Sequence, residues 1–336
     1  MKHASLKTVV LAVFASIASL AQAQQTTVYG AIGTDVIYAT GVAKTGGGSG
    51  SSLYVNDNAI VNSRIGIKGG EDLGGGLAAE FNLESSVSPD TGKTNATFWN
   101  RNAFIGLKGG FGSVRVGHQW NVADDYMCGY FVCGFYAPFQ FKEFYSLSDY
   151  YDNTIKYTTP NMGGLQGGVS YTLGEQAGKT SAGQKFQAAA NYSSGAFGLG
   201  AVIFTQKSTT LPGTDKMYAL GASYDLGSAK LRLGYASAEV KIGGDDKGSV
   251  IDLGVDVPLS ATTSVSADYV AKDMDKGADV DFFRVRGVYA LSKRTSLNAN
   301  FIVLKNSNGG NFAFVGGNTE VDKGQNLLSV GITHAF

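Results

Sequence analysis

Apolar and polar residues alternate one for one along most of this chain, and that period of two limits what it can fold into. Val28, Gly30, Ile32, Thr34, Val36 and Tyr38 form one face of a first segment. Ile65 and Ile67 alternate with Arg64, Gly66 and Lys68, and Ala79, Phe81 and Leu83 alternate with Glu80, Asn82 and Glu84. Successive side chains of a strand point to opposite faces, so charge interleaved with hydrophobe gives one wet face and one greasy face. After Ala23 no apolar run approaches the roughly 20 residues that a helix needs to cross a bilayer. The 43% hydrophobic content is spread thinly among 47 glycines, 19 phenylalanines and 17 tyrosines, as in a transmembrane barrel whose strands are apolar on one face only.

The same pattern recurs at 103–108, 113–120, 154–159, 165–173, 185–192, 198–206, 217–225 and 230–240. It ends with 249–257, 263–272, 281–291, 296–304 and 325–336. The expected fold is all-β, a transmembrane antiparallel β-barrel of about 16 strands, an even number as in bacterial barrels. Short turns such as 160–164, 193–196, 227–228 and 292–295 alternate with longer polar loops at 43–58, 241–247 and 306–322. Short turns on one side of the membrane and long loops on the other are the expected asymmetry. Proline lacks the N–H that a strand ladder needs. Pro89, Pro138, Pro160, Pro212 and Pro258 all fall between the alternating segments. A tight turn is expected at 71–76; centred near Gly74, it sets Arg64 directly opposite Glu84.

The N-terminus reads as a secretory signal peptide. Lys2 and Lys7 precede the apolar stretch 9–20, and Ala21-Gln22-Ala23 supplies small residues before a cleavage site. The expected domains are a removed segment 1–23 and a single barrel 24–336. Removing two lysines leaves 25 basic against 27 acidic residues, which gives no reason to expect nucleic-acid binding.

Competing classes fare poorly. A barrel hydrolase would need a histidine beside a nucleophile, and outside 1–23 the chain has only His118 and His334, neither near a serine elbow. No cofactor motif and no metal-ligand cluster is present. An adhesin would rely on outer loops, which are modest here. A secreted soluble sandwich would leave the repeated apolar face in water. Cys128 and Cys133 are the only cysteines, and in an oxidising periplasm a disulfide between them is the expectation, free thiols being the other reading.

Several segments together resemble the Gram-negative outer-membrane general porins, especially the neisserial and β-proteobacterial branch. They are Val28-Tyr29-Gly30, Ser63-Arg64-Ile65-Gly66-Ile67-Lys68-Gly69 with Glu71-Asp72-Leu73-Gly74, and Phe111-Gly112-Ser113-Val114-Arg115-Val116-Gly117. Asp152-Asn153-Thr154-Ile155-Lys156-Tyr157 before Pro160-Asn161, and Gly331-Ile332-Thr333-His334-Ala335-Phe336, complete the set. The resemblance implies an outer-membrane channel for passive diffusion of ions and small hydrophilic solutes, and not an enzyme. It implies a homotrimer set among outer-membrane lipid and lipopolysaccharide. The terminal strand ending on Phe336 resembles the signal read by the barrel-assembly machinery.

The resemblance also implies a third outer loop folded inward, with acidic residues facing basic ones on the wall. The basic positions map onto Arg64, with Lys68, Arg115 and Lys156 inward by alternation. A family arginine after Gly117 is His118 here, and another before Asp152-Asn153 is Tyr150, so weak ion selectivity is expected. Strict alternation turns His118 toward lipid unless the strand bends at Gly117. The loop candidates are Asp124, Asp125, Glu143 and Asp149, with Glu84 on the wall. The stretch 121–150 carries ten aromatic rings, among them Tyr126, Tyr130 and Phe131. Anchoring the loop is the expected role of these rings, and an aromatic-lined, substrate-selective constriction is the alternative.

Overall fold

A computed structural model describes residues 25–57, 61–133, 149–242 and 244–336. The signal segment 1–23, Glu143 and the aromatic residues between 135 and 145 lie outside the described residues.

Alternation becomes a closed sheet. In chain order the strands are β1 (Gln25–Ala43), β2 in two collinear pieces (Ser49–Asp57 and Arg64–Gly74), β3 (Leu77–Ser88), β4 (Asn102–Gly109) and β5 (Gly112–Trp120). After helix α1 (Val122–Met127) come β6 (Tyr150–Thr158), β7 (Leu165–Thr172), β8 (Lys185–Ser194), β9 (Phe197–Lys207), β10 (Thr214–Asp225) and β11 (Lys230–Val240). The last are β12 (Asp246–Pro258), β13 (Thr263–Met274), β14 (Asp279–Ala290), β15 (Thr295–Ser307) and β16 (Gln325–Ala335). With the two-residue ribbon Lys93–Thr94 set aside, the described residues form 16 antiparallel strands. The barrel closes where β16 pairs back onto β1, Ala31 opposite Ala335 through Thr40 opposite Asn326.

The two faces separate as the alternation requires. Ile65, Ile105, Leu107, Leu253 and Leu328 stand exposed on the outer face, while Ile37, Phe282 and Ile302, which alternate with exposed neighbours, are fully buried inside. Lys68, Glu80 and Arg115 line an internal cavity. A continuous apolar outer face is stable only against lipid. Leu253→Arg, near the middle of β12, is therefore expected to lower folding stability in bilayers by about 2–4 kcal/mol, read from urea titration in vesicles.

Three expectations are corrected. The stretch 43–58 is not all loop, because Ser49–Asp57 pairs with the far half of β1. Its Ser, Gly and Asn content hides the strand, although Leu53 and Val55 face outward. The hairpin centre is later than Gly74, with a bulge between Asp72 and Gly74, so Arg64 lies opposite Ser86 and Glu84 opposite Gly66. The offset of two keeps both side chains on the inner face. Finally, Pro258 is the last residue of β12, opposite Ser264, where one missing donor costs little.

Candidate functional site

The interior is polar on the side formed by β1 to β7. Two cavities of about 740 and 340 Å³ meet there and share Arg115 and Asp125. Arg115 Nε donates to Glu80 Oε1 at 2.7 Å, and its guanidinium lies 4.8 Å from the Phe104 ring centre. Lys156 Nζ, almost fully buried, donates to Asp125 Oδ2 at 2.7 Å and to the Trp120 carbonyl at 2.9 Å. Lys68 lies over the Tyr29 ring at 4.7 Å. Desolvation pushes the Asp125 carboxyl above the ordinary aspartate range, against the pull of Lys156 and Arg115.

Asp125 reaches this position because the connection after β5 begins with a helix. Asn121 caps α1: its side chain accepts from Asp124 N–H at 2.7 Å and donates from Nδ2 to Asp124 Oδ2 at 2.6 Å. Ala123 N–H then donates to Gln187 Oε1 on β8, and Val132 N–H donates to Asp252 Oδ2 on β12 at 2.5 Å. Between these ties, Tyr130 packs over Gly198, Gly200 and Gly221, and Phe131 packs over Gly234. A Cβ on Gly221 would meet Tyr130 at 2.5 Å, and one on Gly234 would meet Phe131 at 2.6 Å. Tyr126, Tyr130 and Phe131 are buried. Cys128 and Cys133 are joined by a disulfide that closes a small ring holding Tyr130 and Phe131. Purified protein is expected to show no free thiol before reduction and two afterwards, counted with a colorimetric thiol reagent in denaturant.

Not every candidate joins the cavities. Asp124 is buried in the cap of α1, where its carboxylate accepts from the Asn121 side-chain amide and its charge sits at the favourable, positive end of the helix. Asp149 holds the base of the segment, its carbonyl accepting from Asn121 N–H at 2.8 Å. Arg64 and Glu84 meet diagonally at 3.5 Å, away from the cavity lining, and Glu84 also binds Arg101 Nε at 2.5 Å and Tyr29 Oη at 2.7 Å. Glu84→Gln is expected to lower the urea midpoint of the folded barrel more than Arg64→Gln does. Glu84 bridges the two guanidinium groups of Arg64 and Arg101, and a buried charge that loses its partner is costly.

The strand does bend at Gly117, whose φ of +136° is a conformation that L side chains avoid. His118 there stacks on Tyr150, its Nδ1 2.6 Å from Asp152 Oδ1 and its Nε2 2.9 Å from the Asn100 carbonyl. His118 thus pairs with the rim and not with Lys156. The histidine at the other end, His334, sits 2.9 Å from Thr295 Oγ1 on the exposed part of β16.

Sequence reasoning missed Arg101 and Lys108. It also missed an inner-wall network in which Asp268 accepts from both Arg232 and Arg284 while Arg232 also binds Asp256. Its members lie on β11 to β14, and register, not local spacing, brings them together.

A closed barrel with an apolar outside and a charged, water-accessible interior defines an outer-membrane channel. Residues 8–309 match the Gram-negative porin family. The chain is 32% identical to outer membrane porin protein 32 of Delftia acidovorans, with both chains fully covered. It is 34% identical over 182 residues to the major outer membrane protein P.IB of Neisseria meningitidis serogroup B, covering 51% of this chain and 50% of that one. A solved structure described as an anion-selective porin from Comamonas acidovorans superimposes with a TM-score of 0.82 at 28% identity, covering 94% of this chain and all of that one. The chain belongs to the Gram-negative porin family: it is a non-enzymatic channel of the outer membrane. Among the described residues no cluster of metal-ligating side chains occurs.

Proposed function

We propose that the segment between β5 and β6 folds into the lumen and that Asp125, set against Arg115 and Lys156, marks the narrowest part of the ionic path. The observation that carries this reading is that the two internal cavities share Arg115 and Asp125. The ties of Ala123 and Val132 to Gln187 and Asp252, on β8 and β12, support it.

The conducted species are ions and small hydrophilic solutes, with weak charge preference. The larger cavity is lined by Lys68, Lys108, Arg115 and Lys156 and equally by Glu71, Asp72, Glu80 and Asp125. Four fixed charges of each sign give little net field, and side-chain charge decides which ions pass. The relative from Comamonas acidovorans is described as anion-selective. Here His118 and Tyr150 occupy two of the positions that the family resemblance assigns to arginine, which argues for weaker preference. Burial of Tyr126, Tyr130 and Phe131 favours an anchoring role over an aromatic-lined passage. The test is a planar-bilayer recording across a potassium chloride gradient. A reversal potential near zero fits this reading, and one near the ideal value for either ion overturns it.

Assembly follows the same family reading. The barrel is a homotrimer in outer-membrane lipid and lipopolysaccharide, exported by residues 1–23 and recognised by the assembly machinery through Phe336. Phe336 and Gly30 exchange backbone hydrogen bonds of 3.0 and 3.1 Å, so the terminal residue also completes closure of the barrel. Unheated electrophoresis, in which a trimer migrates as one band, tests the oligomer.

A further inference from the structure

The turn that follows α1 is covered on one side and open on the other. Met127, Tyr130, Phe131 and Val132 are buried. Their cover is the inner face of the wall, since α1 packs on β8 and β9 and the two rings lie on glycines of β9, β10 and β11. Cys128 and Cys133, at the two ends of the turn, are only half-buried. Gly129 beside Cys128 is exposed, and a Cβ added there would meet nothing within 4 Å. The side left open is the one away from the wall, so the disulfide is reached from the lumen.

Opposed forces act on this turn. Seating it puts Tyr130 on Gly221 and Phe131 on Gly234. Seating also covers Asp252 on the inner face of β12, which is 2% exposed. Among the described residues, Val132 N–H is the only hydrogen-bond donor to that carboxylate, at 2.5 Å from Oδ2, and no hydrogen bond reaches Oδ1. Arg232 and Arg284 attract the carboxylate but direct their hydrogen bonds to Asp256 and Asp268. A buried carboxylate so sparsely bonded is costly, and water would solvate it if the turn lifted. The aromatic anchors thus favour the seated turn, and Asp252 favours lifting. The bond between Cys128 and Cys133, closed over a sequence separation of 5, tips the balance toward seating, because a cross-linked turn has fewer unseated conformations.

We infer that the Cys128–Cys133 disulfide is a redox-sensitive latch: a small dithiol entering the lumen reduces it, and the turn 128–133 then lifts from Asp252. The latch rests on the segment lying in the lumen, and not on Asp125 marking the narrowest point. One thiolate of the dithiol attacks a cysteine sulfur and breaks the S–S bond, forming a mixed disulfide. The other cysteine leaves as a thiolate and takes up a proton. The second thiol of the reductant then closes on the mixed disulfide and releases the remaining cysteine as its thiol. Two electrons pass to the protein, and the reductant departs as a cyclic disulfide. Opening a ring of this size raises the unseated fraction of the turn on the order of tenfold.

The experiment records single channels of the folded protein before dithiothreitol, in its presence, and after washout into diamide, a thiol oxidant. Free thiols counted on the folded barrel are expected to rise from none to two. Folding is checked by the heat-dependent shift in electrophoretic mobility. The variance of the open-channel current should rise severalfold on reduction and return on reoxidation. Asp252→Asn keeps an acceptor for Val132 N–H without the charge, so dithiothreitol should release the same two thiols there and raise the variance less. A folded dithiol oxidoreductase, too large for the lumen, should reduce only the heat-unfolded chain. Two thiols released with an unchanged variance overturn the latch, as does a disulfide that resists dithiothreitol until the barrel unfolds. An equal rise in the Asp252→Asn channel overturns it too. Reduction of the folded barrel by the oxidoreductase as fast as by dithiothreitol places the turn outside the lumen, and the latch and the inward segment fall together. A reversal potential that Asp125→Asn leaves in place, with a variance that still follows the redox state, removes the Asp125 constriction and supports the latch.

Discussion

Gly221→Leu is expected to unseat the connection between β5 and β6 and to increase single-channel conductance. The Tyr130 ring lies directly on Gly221, where an added Cβ would fall 2.5 Å from the tyrosine side chain. Gly200 beneath the same ring, and Gly234 beneath Phe131, are equally close. Glycine weakens a strand, so its presence at facing inner positions of β9, β10 and β11 has a packing reason. Three adjacent strands give up their side chains to make a recess for two rings. A leucine cannot share that recess, and the backbone of β10 cannot retreat without breaking its ladders to β9 and β11. The ring leaves instead. Losing one buried aromatic anchor costs about 3–5 kcal/mol, enough to release a loop held otherwise by a few hydrogen bonds. The expected record is a larger, noisier unit conductance, with barrel content unchanged by circular dichroism. Tyr130→Ala is expected to act in the same direction, and combining the two substitutions should add little, because both empty one recess. Unchanged conductance in the folded Gly221→Leu protein would place the loop's hold elsewhere.

Those glycines show where sequence reading stops. The strands were legible because a period of two survives any change of residue type that keeps polarity. Strand ends were less so: Ser49–Asp57 is rich in serine and asparagine, and only Leu53 and Val55 betray its outer face. Hairpin register slipped by two because the strands pair about a centre near residue 75, one later than polarity suggests, and moving the centre by one moves every partner by two. The rings of the long connection announced that they must pack somewhere. Their recess could not be located, since glycines at 200, 221 and 234 look alike until the sheet sets them side by side. The charge partners divide in the same way. Lys156 and Arg115 are inward by alternation. Which acid meets Lys156 depends on how α1 directs Asp124 into its own cap and Asp125 outward from it. Arg101 sits in a connection of no regular period, and its partner Glu84 is a matter of register.

Asp125→Asn is expected to convert a nearly neutral passage into an anion-preferring one. In the folded protein its carboxylate is the counter-charge of Lys156 at 2.7 Å. It also belongs to the lining of both cavities. Asparagine keeps the shape and removes the charge, leaving Lys156 without a carboxylate at the proposed constriction while Arg115 keeps Glu80. On the proposed path one cation is then uncompensated, and reversal potentials in a tenfold potassium chloride gradient should move toward the chloride value. The shift should be large when both solutions are dilute and fade in concentrated salt, because the screening length falls from about 30 Å at 0.01 M to 3 Å at 1 M. Acidification should do the same to the unmodified channel. Desolvation among the surrounding protein groups raises the Asp125 carboxyl above its ordinary value, so as pH falls it takes up a proton before an unperturbed aspartate does. Protonation removes the same negative charge that the substitution removes. The Asp125→Asn channel should therefore show a smaller pH response than the unmodified one over the interval in which Asp125 titrates. An equal pH response in both proteins, or a reversal potential that Asp125→Asn leaves in place at low salt, would remove Asp125 from the conducting path.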